Sequence, residues 1–226
     1  SIIHHWINGE LQPSTAERYG DVFNPATGEV SASVSMGNSD DLNKAVESAS
    51  KAFETWSQTS VTKRAQIFFK YKELLETNRE ELIELITNEH GKVASDAAGS
   101  LQRGIEVVDF VCGIPHLLKG EYTEGAGPGI DVFSVRQPLG VVAGITPFNF
   151  PAMIPMWMFG VAIACGNAFI LKPSEKDPSV PLRLAELMTE AGLPDGVLNV
   201  VHGDKTAVDA ILTHPDIKAV SFVGSS

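Results

Sequence analysis

The sequence predicts an α/β fold in which a doubly wound parallel sheet follows an N-terminal helical region. Three observations carry this. From residue 141 onward, apolar runs at Val141–Ile145, Ala168–Leu171, Val197–Val201 and Ala219–Val223 alternate with single helical stretches. Strands separated by one helix each must pair in parallel through right-handed crossovers. From Ser39 to about Leu118, apolar residues instead recur at three- and four-residue steps, as in helices with one buried face. Finally, polar residues cluster where apolar runs end, which is where an open α/β sheet binds ligands.

Taken in order, the opening SIIHHWINGE places His4 and His5 in a strand, on opposite faces. A first helix starts at Ser39–Asp40 and buries Leu42, Ala45, Val46, Ala49, Ala52, Phe53 and Trp56. A second spans Thr62 to Glu76. A third follows Asn78, expected as a side-chain cap with Glu81 reaching back, and ends at Gly91 in a left-handed cap. The fourth, Ser95 to Leu118, carries Arg103 among Ile105, Val108 and Val111, either reaching solvent or pairing with Glu106. Gly125-Ala126-Gly127-Pro128-Gly129 reads as a surface turn, since proline removes a donor that a phosphate loop would need. Asp131–Arg136 is a strand. Further helices end near Ala164, span Pro181–Ala191 and span Thr206–Thr213. The expected division is a mostly helical 1–130, a strand and turn at 131–140, and a truncated sheet core at 141–226. Phe222-Val223-Gly224-Ser225-Ser226 stands where a strand should hand over to a helix, so the chain reads as cut there.

Composition narrows the function. At 226 residues, 43% hydrophobic and 20% charged, the chain can bury a large core. A net charge of −11, with no basic stripe, opposes nucleic-acid binding. The apolar stretch Phe150–Ile163 is broken by Pro151, Pro155 and Gly160 and falls short of a membrane span, so it is expected as a buried helix. No secretory signal opens the chain, and a cytoplasmic setting is expected. Cys112 and Cys165 lie in apolar surroundings, as buried structural thiols do. CxxC, HxxxH, HExxH and GxSxG are all absent, which argues against a metal site and a serine hydrolase.

The chemistry concentrates in GVVAGITPFNFPAMIPMWMFGVAIACGNAFILKPSE, residues 140–175. The run Val141–Ile145 stops at Pro147 and presents Asn149, an amide donor on a turn of the kind that can stabilise an oxyanion. A second run ends in Lys172, Ser174 and Glu175, a cation, hydroxyl and carboxylate suited to a ribose and its phosphates.

These segments, with EAGLPDGVLNVVHGD and SFVGS, resemble the cofactor-binding half of the aldehyde dehydrogenase superfamily over essentially the whole chain. WINGE, RGIEVVDF, PFNFPAMIPMWMF and HPDIKAVSFVGS are most similar to its CoA-acylating methylmalonate-semialdehyde (malonate-semialdehyde) dehydrogenase branch. The resemblance implies a Rossmann-like domain, NAD as cofactor, CoA as co-substrate, a small semialdehyde substrate and a homo-oligomer, dimer or tetramer. It implies that Asn149 is the side-chain half of an oxyanion hole. Thr146 and Phe148 would line the cofactor groove, Lys172 and Glu175 would bind the adenosine ribose, Lys176 would contact the cofactor, and Ser225 would approach its diphosphate. Arg103 matches an arginine that recognises the substrate carboxylate, and Trp157 and Met153 would flank a substrate tunnel or belong to the core. The family's nucleophilic cysteine matches neither Cys112 nor Cys165, so this chain alone is expected to be inactive and the catalytic domain absent. In the full-length enzyme, cysteine attack would be followed by hydride transfer to NAD and acyl transfer to CoA with loss of carbon dioxide. The alternative is a non-catalytic nucleotide-binding or subunit-interaction protein on the same half-fold.

Overall fold

The computed structural model describes residues 1–225. Five short strands come first: β1 (Ile2–Ile3), β2 (His5–Ile7), β3 (Glu10–Gln12), β4 (Tyr19–Asn24) and β5 (Glu29–Ser35). These strands precede the helical region expected from Ser39, and only the one at His4–His5 was expected. The reason is tertiary: β2 and β3 extend the main sheet, while β1, β5 and β4 make a separate three-stranded one. Neither pairing leaves a local sequence signal beyond the strand expected at His4–His5.

The helices follow as α1 (Ser39–Trp56), α2 (Val61–Thr77), α3 (Arg79–His90), α4 (Ala94–Cys112) and the short α5 (Ile114–Leu117). Asn38 caps α1, its side chain accepting from Asp41 N while the Asp41 carboxylate accepts from Asn38 N. The box expected at Asn78 does not form. Asn78 terminates α2, and its side-chain amide donates back to Leu74 O at 2.8 Å. Its φ of −98° and ψ of 18° are also not the extended backbone of a capping box. The expected fourth helix breaks at Gly113, because Pro115 has no N–H with which to continue it. Gly91, at φ 90°, is the left-handed cap expected.

A hairpin of β6 (Tyr122–Gly127) and β7 (Ile130–Phe133) comes next, so part of the expected glycine-rich turn is strand and only Pro128–Gly129 turns. The rest alternates as expected: β8 (Val141–Ile145), α6 (Met153–Ala164), β9 (Ala168–Lys172), α7 (Ser179–Glu190), β10 (Leu198–Val200), α8 (Lys205–Thr213) and β11 (Ile217–Phe222). The main sheet runs β11-β8-β9-β10-β2-β3, with the first four strands mutually parallel and β2 antiparallel to β10. Both β8 and β9 are buried throughout, as strands covered on two faces must be.

Two cores lie on the two faces. On one, Leu42, Ala45, Val46 and Ala49 of α1 meet Val141, Ala143, Ala168 and Ile170, with Ile211 of α8. On the other, α2, α4, α6 and α7 bury Phe68, Tyr71, Leu101, Met156, Phe159 and Leu184 against Val142, Phe169 and Leu171. The buried aromatics keep their polar ends satisfied: Trp56 Nε1 donates to Ile163 O at 2.9 Å and Tyr71 OH to Leu184 O at 3.1 Å. Gly144 is demanded by packing, since a Cβ there would lie 2.6 Å from Phe169 Cζ. No helix is long and apolar enough to cross a membrane among the described residues.

Candidate functional site

Register brings three strand ends level. Ile145 pairs with Lys172 on one side and Phe222 on the other, so β8, β9 and β11 release their chains at the same edge. A cleft of about 660 Å3 opens there, within the range of small-molecule sites. Thr146, Phe148 and Asn149 line it from the turn after β8. Lys172, Glu175 and Lys176 line it from the end of β9, and Ser225 from beyond β11. Residues up to 79 positions apart in sequence thus converge.

Inside the cleft Lys172 is only 4% exposed. Its ammonium donates to Gly203 O at 2.6 Å and stands 3.7 Å from the Glu175 carboxylate. Burial pulls the lysine's pKa down, and Glu175 counters that pull. Thr146 is held by its backbone N–H donating to Lys172 O at 3.1 Å, while its buried hydroxyl has no partner among the described residues. A buried hydroxyl without a partner on a cleft wall is a ready contact for a ligand. Asn149 is exposed, and its side-chain amide makes no hydrogen bond among the described residues. Its carbonyl accepts from Lys92 Nζ at 2.8 Å, which holds the turn.

The sequence profile of the aldehyde dehydrogenase family matches residues 11–226. The chain belongs to the aldehyde dehydrogenase family. Malonate-semialdehyde dehydrogenase of Pseudomonas aeruginosa is 57% identical over 99% of this chain and 45% of its own length. Malonate-semialdehyde dehydrogenase 1 of Geobacillus thermodenitrificans is 52% identical, again over 99% of this chain and 46% of its own. Among solved structures, a Sinorhizobium meliloti protein assigned as a methylmalonate-semialdehyde dehydrogenase, complexed with NAD, superposes with a TM-score of 0.98 at 62% identity. It is covered over 46% of its chain, and this chain over 100%. Methylmalonate-semialdehyde dehydrogenase of Oceanimonas doudoroffii gives the same TM-score at 56% identity, with the same coverage. The chain therefore spans slightly under half the length of these relatives.

Against this aldehyde dehydrogenase frame, Arg103 stands apart from the cleft residues. It is exposed on α4, makes no ion pair with Glu106, and is close enough to Lys92 to add to the downward push that burial exerts on that lysine's pKa. Gly104 beside it lets α4 approach α6, because a Cβ there would meet Met156 Cε at 2.2 Å. Met153 is buried and Trp157 exposed. Sequence reading missed Lys92, which lies 57 positions from the Asn149 carbonyl it contacts and has no local signature. It also missed Asp204. That residue caps α8, lines the cleft, and takes Arg18 at 2.6 Å. An aspartate just before an apolar-periodic helix was a legible signal. Burial raises the Asp204 pKa, but the Arg18 and Thr206 hydrogen bonds outweigh it and hold the carboxylate charged.

Phe148 joins two spaces. It lines the cleft and also a neighbouring cavity of about 490 Å3 that contains Glu89, His90 and Asp177. His90 stacks on its ring at 6.3 Å and Lys176 Nζ lies 4.5 Å above it.

Proposed function

We propose that this chain is the NAD-binding part of a cytoplasmic, CoA-acylating methylmalonate- or malonate-semialdehyde dehydrogenase. The observation that carries the reading is the convergence of Thr146, Lys172 and Glu175 with Asn149 in one cleft at the carboxyl edge of the sheet. The residues suit a dinucleotide. Glu175 stands ready to accept from both hydroxyls of the adenosine ribose, and Lys172, Thr146 and Ser225 supply donors toward ribose and phosphate. NAD, when bound, would accept the hydride from the aldehyde carbon. Asn149, with its amide free, would donate to the aldehyde oxygen as that oxygen becomes negative.

Both thiols sit elsewhere. Cys112 is buried at the C-terminal end of α4, and Cys165, half-buried rather than fully buried as expected, lines a different cavity. Burial raises the pKa of both, opposite to what activates a nucleophile. The 226 residues by themselves should therefore bind NAD and leave aldehydes unoxidised.

A carboxylate at Glu175 repels a 2′-phosphate, so NAD should bind more tightly than NADP. Glu175→Gln should narrow that gap by relieving the repulsion. Isothermal titration of both nucleotides reads the effect directly; equal affinities in the unaltered protein would defeat the assignment.

A further inference from the structure

At the opposite end of the sheet from the cleft lies a second cavity, of about 590 Å3, between the α1–α2 connection and the loop that leads into β8. β8 has five residues, so roughly 16 Å of strand separates this cavity from the cleft. Arg64, Arg136, Gln58, Gln137 and Asn167 contribute its polar wall, and no carboxylate among the described residues lines it. That is unexpected in a chain of net charge −11.

Arg64 is only 7% exposed, yet it faces neutral groups: its Nε donates to Ala164 O at 2.9 Å and its Nη1 to Thr59 O. The α6 C-terminus offsets part of that charge. Arg136 has no comparable partner, since the arginine ion pairs among the described residues belong to Arg18, Arg79 and Arg183. Cys165 lines the same cavity; burial raises its thiol's pKa, and Arg64 and Arg136 both oppose that rise. The floor is rigid. Asn167 Oδ1 accepts from Leu139 N at 2.7 Å and Gly140 N at 3.3 Å, and its amide donates to Ala162 O at 2.9 Å. Phe53, Leu118 and Leu139 supply apolar walls.

We propose that this cavity is a binding site for a small organic anion, a phosphate or carboxylate group held between Arg64 and Arg136 with an apolar body against Phe53 and Leu118. Arg64 Nη2, left over from the two carbonyl bonds, and the exposed Arg136 guanidinium supply charge-assisted donors for an oxyanion in a pocket lined by no carboxylate among the described residues. A buried cation answered only by carbonyls gains more from an anion than a solvated one does.

Cys165 serves as the reporter. In the 226-residue protein, phenyl phosphate should slow alkylation of Cys165 by iodoacetamide, mapped by peptide mass, about tenfold at ten times its Kd. Phenol should protect far less. Benzoate run in parallel tells a carboxylate site from a phosphate site, and protection by either supports the proposal. Arg136 is exposed, so Arg136→Gln should leave the melting temperature unchanged while weakening protection by about tenfold or more. Equal protection by phenol, protection unaltered in Arg136→Gln, or none at any soluble concentration of phenyl phosphate or benzoate would each overturn it.

Discussion

At the scale of single residues, Asn149 and Arg103 divide the proposed chemistry. Asn149 reaches the cleft with a free amide, whereas Arg103 stands on α4 outside it. In the whole enzyme, Asn149→Ala should lower turnover of every aldehyde, propanal included, by roughly a hundredfold, the usual cost of losing one oxyanion donor. Arg103→Leu should impair carboxylated semialdehydes and spare propanal. Steady-state kinetics on both substrate types checks the contrast, and equal damage by Arg103→Leu would make that arginine structural. Asp177 offers a different test. It is 2% exposed, both carboxylate oxygens lack hydrogen-bond partners among the described residues, and its pKa is raised from 3.8 to about 8, chiefly by burial and further by Glu89, with Lys92 opposing. Between those values the folded protein holds a proton that the unfolded chain has lost, so stability falls as pH rises from about 4 to about 8, by at most about 1.4 kcal/mol per pH unit. Asp177→Asn removes that slope. Its melting temperature relative to the unaltered protein should climb across this window, and a constant difference would show that Asp177 ionises freely. Lys172, Glu175 and Asn149 were legible in sequence because each stands at the end of an apolar run. Lys92 and Asp177 were not, because their environments are made by residues distant in the chain.

At the scale of elements, periodicity located every helix from α1 to α4 and every strand from β8 to β11, because burial on one face or both imposes a repeat on the residues themselves. It failed where the decisive contact is remote. Asn78 carries the sequence of a capping box, yet the end of α2 claims its side chain. Gly144, unremarked in sequence, is required in β8 because Phe169 Cζ and Met158 Sδ would lie 2.6 Å and 2.8 Å from any Cβ. Gly144→Ala should therefore destabilise the fold by about 1–3 kcal/mol, the cost of overpacking a core. In urea unfolding the midpoint should fall with the slope unchanged; an unshifted midpoint would mean that the strand has room to move.

At the scale of the molecule, the β6–β7 hairpin stands as a two-stranded sheet with Tyr122, Ile130, Val132 and Phe133 exposed. An isolated hairpin is marginal in water, and apolar strands with open edges associate. The 226-residue protein should accordingly form dimers or larger assemblies. Light scattering across a concentration series measures this, and Phe133→Lys should shift the equilibrium toward monomer; a clean monomer in the unaltered protein would count against the hairpin as a contact. The sequence by itself determined the alternating half of the fold, the family resemblance and the residues at the strand ends, since all three are written in spacing between near neighbours. Only the tertiary structure decided that the first residues are strands, two of which extend the main sheet, that Lys92 braces the Asn149 turn, that Asp177 is buried near Glu89, and that Arg64 and Arg136 share a cavity. Those outcomes depend on pairings and burial between segments tens to hundreds of residues apart, and neither hydrogen-bond partners nor dielectric surroundings at that separation leave a periodic trace in the chain.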